Sequence, residues 1–490
     1  MRGRNTGSPE HKKAAVYVAG EFERNGLKPA GSSGYLQPVP FAVQQIIEEQ
    51  SSLALVRDGK LEPLKLGEDA NLSARSEASS EMEAGAVFVG YGLTVPERNY
   101  NDLAGLDLRG KIAVYLAGGP ADIPGPLKAH YQSAGERWKF LKAAGVIGVA
   151  TIQNPKTSDI PWARATLARL QPTMRVADPT LDETPGERLS ITINAEHADK
   201  FFAGSGHTIA EILADADNKR PLPRFPLAAS IRARAVTKKW RVESQNVAGT
   251  LTGADPKLKN EYVVVSAHLD HVGVGQPING DSIYNGAMDN ASGSATLMET
   301  ARAFHDQHVR PRRSIIFLAV TGEEEGELGS AYFALHPTVP VAQIIADLNT
   351  DMWLPIIPFK GVFAYGWDES DLGKDLEPVL KRRGLVNYAD PEPEQVRFIR
   401  SDQYSFIKRG IPAMAFKTGY APGSPEMTVA VDWRNARYHK VSDDLDQPID
   451  FQCVTEFDAM YFELVRAVAD RETRPAWNPG SVFGLIPRAK

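Results

Sequence analysis

Three stretches of this 490-residue chain are apolar almost without interruption: YVVVSA (262–267), SIIFLAV (314–320) and IIADLN (344–349). A strand with one wet face alternates apolar and polar residues. A strand covered on both faces does not. Such runs therefore predict a sheet sandwiched between helices. The intervening SGSATLMETARAFHDQH places Ala295, Met298, Ala301, Arg302 and Phe304 at helical spacing. PAMAFK (412–417) reads as a further strand, and the alternation of strand and helix from 226 onward is an α/β layout.

The chain is too long for one ordinary core. Residues 9–25 carry Ala14, Ala15, Val18, Ala19 and Phe22 at helical spacing, with Asn25-Gly26 as the stop. GEDANLSARSEASSEMEA (67–84) is polar and reads as a linker or crossover. GAVFVGYG and GKIAVYLAGG then read as short strands, and NKRPLPRFPL closes the region near 218–227. The expected division is 1–66 as the first part of a main domain, 67–225 as an inserted smaller domain, and 226–490 as the rest. Arg310-Pro311-Arg312-Arg313 reads as a surface cap at a strand start. A net charge of -6 leaves no basic footprint for nucleic acid. No apolar run of transmembrane length exists, and Cys453, the single cysteine, reads as a core thiol.

Chemistry collects where strands end. His268-Leu269-Asp270-His271 follows the first run, Glu323-Glu324-Glu325 the second, and Asp351 the third. Ligands of open α/β sheets bind outside the carboxyl ends of the strands, so three strand ends deliver His, Glu and Asp to one rim. GAMDNASG (286–293) opens the helix after the first strand, and YHKVSDD (438–444) lies in a late polar loop. Each piece alone has an ordinary reading: HxD recurs by chance, acid runs are usually solvated, and an Asp before a helix is usually its cap. Together they supply imidazole and carboxylate, the ligand set of zinc and related ions. His271 reads as a bystander, at most a pocket wall.

The ordered set AHLDH, GAMDNASG, GEEEGELGS, DLNTDMW, RSDQYSF, KRGIP and YHKVSDD resembles the M28 zinc aminopeptidase family, in its form with an inserted protease-associated domain. The stretch GYG…YNDLAGLDLRGKIAVYLAGG looks like that insert. The resemblance implies a mixed, mostly parallel sheet flanked by helices, interrupted by a largely β insert. It implies two divalent metal ions, zinc being the expected one. His268 and Asp351 would hold one ion, Glu324 and His439 the other, and Asp289 would bridge them. Asp270 would orient the His268 imidazole from outside the metal shell. Glu323 would be the general base, and Tyr438 a stabiliser of the oxyanion. Arg400, Asp402 and Gln403 of RSDQYSF would line the substrate pocket; Gln403 stands where many relatives carry His. Glu325 fills a position the family leaves variable and is expected to be solvated.

The expected function is removal of N-terminal residues from peptides, with no nucleic-acid partner and no membrane span. A carboxypeptidase or dipeptidase would need basic residues to hold a free carboxylate, and Arg397 and Arg400 leave that reading open. A glutaminyl-cyclase-like enzyme uses one metal on the same fold, and His268 together with Asp289 argues against it. A non-catalytic binding ectodomain would have lost ligands, and here all five are present. The resemblance also implies export to a periplasm or medium, with a leader preceding the given first residue; a cytoplasmic enzyme stays open.

Overall fold

The computed structural model describes residues 2–75, 81–158, 160–395 and 397–489. The chain divides into two compact units. One comprises Met1–Phe41, Val242–Pro391 and Arg397–Lys490; the other comprises Ala42–Arg241 and Glu392–Val396.

The main sheet of the first unit contains β1 (Leu36–Ile46), β2 (Thr237–Leu251), β3 (Tyr262–His268), β4 (Ser314–Val320), β5 (Ile344–Thr350), β6 (Gly361–Tyr365), β7 (Val386–Asn387) and β8 (Ala413–Thr418). Their spatial order is β1-β2-β4-β3-β5-β8-β6-β7. The central strands β4, β3, β5 and β8 are mutually parallel, while β2 and β6 run antiparallel to their neighbours β4 and β8. This is the mixed, mostly parallel sheet expected.

The reason for the continuous apolar runs is visible in the packing. Val263 and Val265 of β3 and Ile315, Phe317 and Ala319 of β4 join one core cluster. Their alternate neighbours Val264, Ile316, Leu318 and Val320 join another, with Phe333 and Phe406. Side chains leave a strand on opposite faces at each step, so both faces of the sheet are dry. The first cluster is roofed by α1 (Pro9–Arg24), α2 (Ser292–Asp306) and α4 (Phe451–Asp470), through Phe22, Phe304 and Phe457 among others. The second cluster is covered by α3 (Leu328–Leu335), which contributes Phe333 to it. Full burial of a side chain such as Phe317 contributes about 2–3 kcal/mol. Helix starts are marked in sequence: Ser8 accepts from His11 N at 3.1 Å with Pro9 in the first turn of α1, and Asp450 accepts from Gln452 N and Cys453 N at α4. Cys453 is buried, as read. Arg313 differs from the reading of a surface cap. It is 1% exposed and donates from Nε to Glu261 Oε2 at 2.7 Å.

The second unit carries an eight-stranded sheet in the order Lys60–Leu64, Ser52–Arg57, Arg224–Arg234, Met82–Val89, Ile112–Leu116, Gly148–Ile152, Leu189–Ile193, Ala70–Leu72. It therefore begins near residue 42 rather than 67, because the hairpin 52–64 pairs with 230–234 of this sheet. The polar stretch 67–84 is not simply a linker either. Ala70–Leu72 and the start of Met82–Val89 are strands, while 76–80 of that reading lie outside the described residues. A sparse polar pattern conceals a short edge strand such as Ala70–Leu72, which needs few apolar residues.

One buried acid here sets a pH dependence. Burial pushes Glu187 up to about 7 from its ordinary 4.5, against hydrogen bonds from Thr184 and Ser190. The folded state then holds a proton that the unfolded chain has released between pH 4.5 and 7, so stability falls as pH rises through that window. The full difference corresponds to roughly 3 kcal/mol. Glu187→Gln should flatten this decline, read as melting temperature against pH. An unchanged slope would mean that Glu187 is not its source.

Candidate metal centre

Strand register alone brings the first pair together. Ser266 of β3 lies opposite Asn349 of β5, so two residues further on His268 faces Asp351. On the other side His268 pairs with Val320 of β4, and Glu323 and Glu324 follow that strand end directly. His268 Nε2 lies 3.3 Å from Asp351 Oδ1 and 3.3 Å from Asp289 Oδ1. The other oxygen of Asp289 lies 3.2 Å from His439 Nε2, which in turn is 3.0 Å from Glu324 Oε2. The two oxygens of Asp289 thus face two different histidines.

The side chains are held from behind. His268 Nδ1 lies 3.2 Å from the Asp270 carbonyl oxygen but 3.9 Å from its carboxylate. The imidazole is thus oriented by the Asp270 main chain, not by the side chain that the sequence reading named. The Asp270 carboxylate instead accepts from Glu323 N at 3.1 Å, Glu324 N at 3.3 Å and Thr6 Oγ1 at 3.0 Å. It therefore seats the paired-glutamate loop. That loop closes tightly on itself through Gly326 N and Glu327 N, both donating to Glu323 O. Gly329 is required beside it, since a Cβ there would stand 1.9 Å from Thr321 O. Asp443 fixes the Asp289 segment: its carboxylate accepts from Met288 N at 2.9 Å and Asp289 N at 3.0 Å. Asn290 ties the same segment to the end of β5, donating to Thr350 O and accepting from Met352 N.

The environment treats the two neighbouring glutamates oppositely. Burial, with Asp351, Glu324 and Asp402 adding to it, pushes Glu323 well above the ordinary carboxylate range against the pull of His268. Burial would also raise Glu324, but His439 and His271 bring it down to about 2. Titratable neighbours driven apart in this way mark a division of roles. His439, despite burial, is pushed up to about 10 by Glu324 and Asp289. Burial raises the Tyr438 phenol well above its ordinary value, and its ring lies 4.0 Å from that of His439.

The donor chemistry fits divalent ions. His268, Asp289 and Asp351 offer ligand atoms all within 4.8 Å of one another, and so do His271, Asp289 and Glu324, with Asp289 common to both sets. Imidazole nitrogen and carboxylate oxygen are the donors that zinc and its relatives take. His271 is the residue that sequence reasoning missed. Its Nδ1 lies 2.6 Å from Glu324 Oε1, and its Nε2 is buried without a hydrogen-bond partner among the described residues. The signal was its place three residues after His268 in HLDH.

The pocket residues divide. Arg400 is exposed. Asp402 is fully buried, and burial pushes its carboxyl up to about 7 against the pull of His268. The Gln403 amide is turned into the core. It is fully buried, donating to Phe398 O at 3.0 Å and accepting from Asn349 Nδ2 at 2.8 Å. Glu325 is half-buried rather than fully solvated.

Residues 246–465 match the model of peptidase family M28. Over these residues the chain carries a segment of the peptidase M28 type. The matched M28 segment holds every residue of both donor sets. Among curated relatives, a probable zinc metalloprotease of Pyricularia oryzae is 44% identical over 112 residues, 23% of this chain and 21% of the relative. Carboxypeptidase Q of Xenopus laevis is 35% identical over 173 residues, 35% of this chain and 32% of the relative. The chain thus matches a fifth to a third of the length of these relatives. An aminopeptidase from Aneurinibacillus sp. strain AM-1 is similar in fold, with a TM-score of 0.53 at 20% identity, over 100% of this chain and 94% of that one. Among the described residues, no helix is long and apolar enough to cross a membrane.

Proposed function

We propose that the chain is a co-catalytic two-metal exopeptidase, an aminopeptidase acting on peptide N-termini. The observation that carries this reading is Asp289, whose two oxygens stand 3.3 and 3.2 Å from His268 and His439. His268 and Asp351 would hold one ion, Glu324 and His439 the other, with Asp289 shared and His271 supporting Glu324. When bound, two such ions lower the pKa of a shared water and polarise the scissile carbonyl.

The chain's own residues do the rest. Glu323 lies 3.9 Å from His268 Nε2, adjacent to the ligand atoms but outside both donor sets. It takes the proton of the attacking water and delivers it to the leaving amine. Tyr438 keeps its phenolic proton and donates to the carbonyl oxygen as negative charge develops there. The charge of Asp402 adds to the upward push on Glu323, and a substrate ammonium would relieve that repulsion.

One observation favours a second reading, a carboxypeptidase or dipeptidase. Thr350 of β5 lies opposite Phe416 of β8, so Lys417 falls beside Asp351 at the rim. Lys417 feels the charges of Arg397 and Arg400 as well as that of Asp351. A basic group there could receive a free carboxylate. Aminoacyl reporter substrates, their N-blocked forms, and N-blocked dipeptides with a free C-terminus separate the two readings. Cleavage of only the free-amine reporters is the expected result. Cleavage of the N-blocked dipeptides instead would establish the second reading and overturn the first.

A further inference from the structure

We propose that the segment Arg4–Thr6 is a positioning strap for the metal centre, with Arg4 its principal residue. This rests on the metal reading above. Arg4 is 9% exposed, and its guanidinium donates into main-chain carbonyls of both ligand-bearing segments. Nε donates to Leu269 O at 2.8 Å, between His268 and Asp270. The two terminal nitrogens donate to Asn285 O and to Gly286 O, the latter at 3.0 Å, with Asp289 O a longer contact at 3.5 Å. One planar fork thus spans the segment carrying His268 and the segment carrying Asp289. The main chain continues the attachment. His271 N donates to Arg4 O, and Asn5 Nδ2 donates to Val272 O. Gly3 and Gly273 approach so closely that a Cβ on Gly3 would stand 2.5 Å from Gly273 Cα. Thr6 completes the strap through its 3.0 Å donation to the Asp270 carboxylate, which seats Glu323 and Glu324.

Charge and geometry make opposite forecasts. Arg4 senses Asp289, Asp270, Asp443 and Glu324. If its role were charge balance alone, removing it would leave a more negative site and tighten cation binding. Its hydrogen bonds, however, end on carbonyls and not on those carboxylates. A positioning role therefore predicts that removal weakens metal binding.

The test uses the full chain, loaded with cobalt(II) and zinc(II), comparing Arg4→Met, Arg4→Lys and Thr6→Val. Metal affinity is read by chelator competition, ligand geometry by the cobalt visible spectrum, and turnover by the kcat and KM of the best reporter. Arg4→Met should weaken metal affinity about 10–100-fold, the usual range for outer-shell partners. It should also alter the cobalt spectrum and lower kcat at an unchanged KM. Arg4→Lys, which lacks the fork, should recover only part of the affinity. Unchanged or tighter metal binding in Arg4→Met would overturn the proposal. If Arg4→Met does not fold, Thr6→Val decides: a changed cobalt spectrum supports the strap, and a native one overturns it. Failure of the wild-type chain to bind metal would sink the metal reading itself, so the two failures are distinguishable.

Discussion

Glu323→Gln should leave both metal positions filled while turnover falls about 10²–10⁴-fold. Such a loss corresponds to roughly 3–5 kcal/mol of barrier. Glutamine keeps the shape and the backbone donation from Glu323 N to Asp270 Oδ1, which does not involve the side chain. What it removes is the proton acceptor. Metal content by mass spectrometry beside steady-state kinetics makes the comparison. If the variant sheds metal, the two glutamates have been assigned in the wrong order. The opposing environments of Glu323, pushed well up, and Glu324, brought down to about 2, argue against that.

Asp289→Asn should do the reverse and empty the site. An amide offers one acceptor oxygen without charge, so the two contacts of 3.3 and 3.2 Å to His268 and His439 cannot both be kept. Metal affinity should fall by more than the 10–100-fold typical of outer-shell partners, and activity with it. The metal-free protein should also lose stability. Asp289 is held well below its ordinary range by hydrogen bonds from His268 and His439 despite its burial. A depressed folded pKa is a stabilisation present above the unfolded value of 3.8 and absent in a neutral amide. Calorimetry of apo and metal-loaded variant separates the two effects. Retained binding of two ions would remove Asp289 from the bridging role.

How much of this was legible in the sequence follows from the range of the forces involved. The strands β3, β4 and β5 could be read because double-sided burial leaves a local signature, an unbroken apolar run. His268, Asp351 and the paired glutamates followed, since a strand end is also a local feature. The start of the second unit was not legible. The hairpin at 52–64 is no more strand-like than many loops, and only its pairing with 230–234 decides the matter. A histidine three residues after another, as His271 is after His268, carries no sign in the sequence of where its ring points. Structure turns its Nδ1 to Glu324. Arg4 and Thr6 act across more than 260 residues of chain, and their partners are largely main-chain groups, which carry no sequence mark. At Asp270 it is the carbonyl, not the carboxylate, that stands against the His268 imidazole. The alternation of donor atoms along a backbone lies below what residue identity reports.

Metal stoichiometry tested against activity bears most directly on the central claim. The purified chain, stripped with a chelator and titrated with zinc, should regain full peptidase activity at two ions per chain. Full activity at one ion, or activity that survives complete removal of metal, would contradict a co-catalytic pair bridged by Asp289.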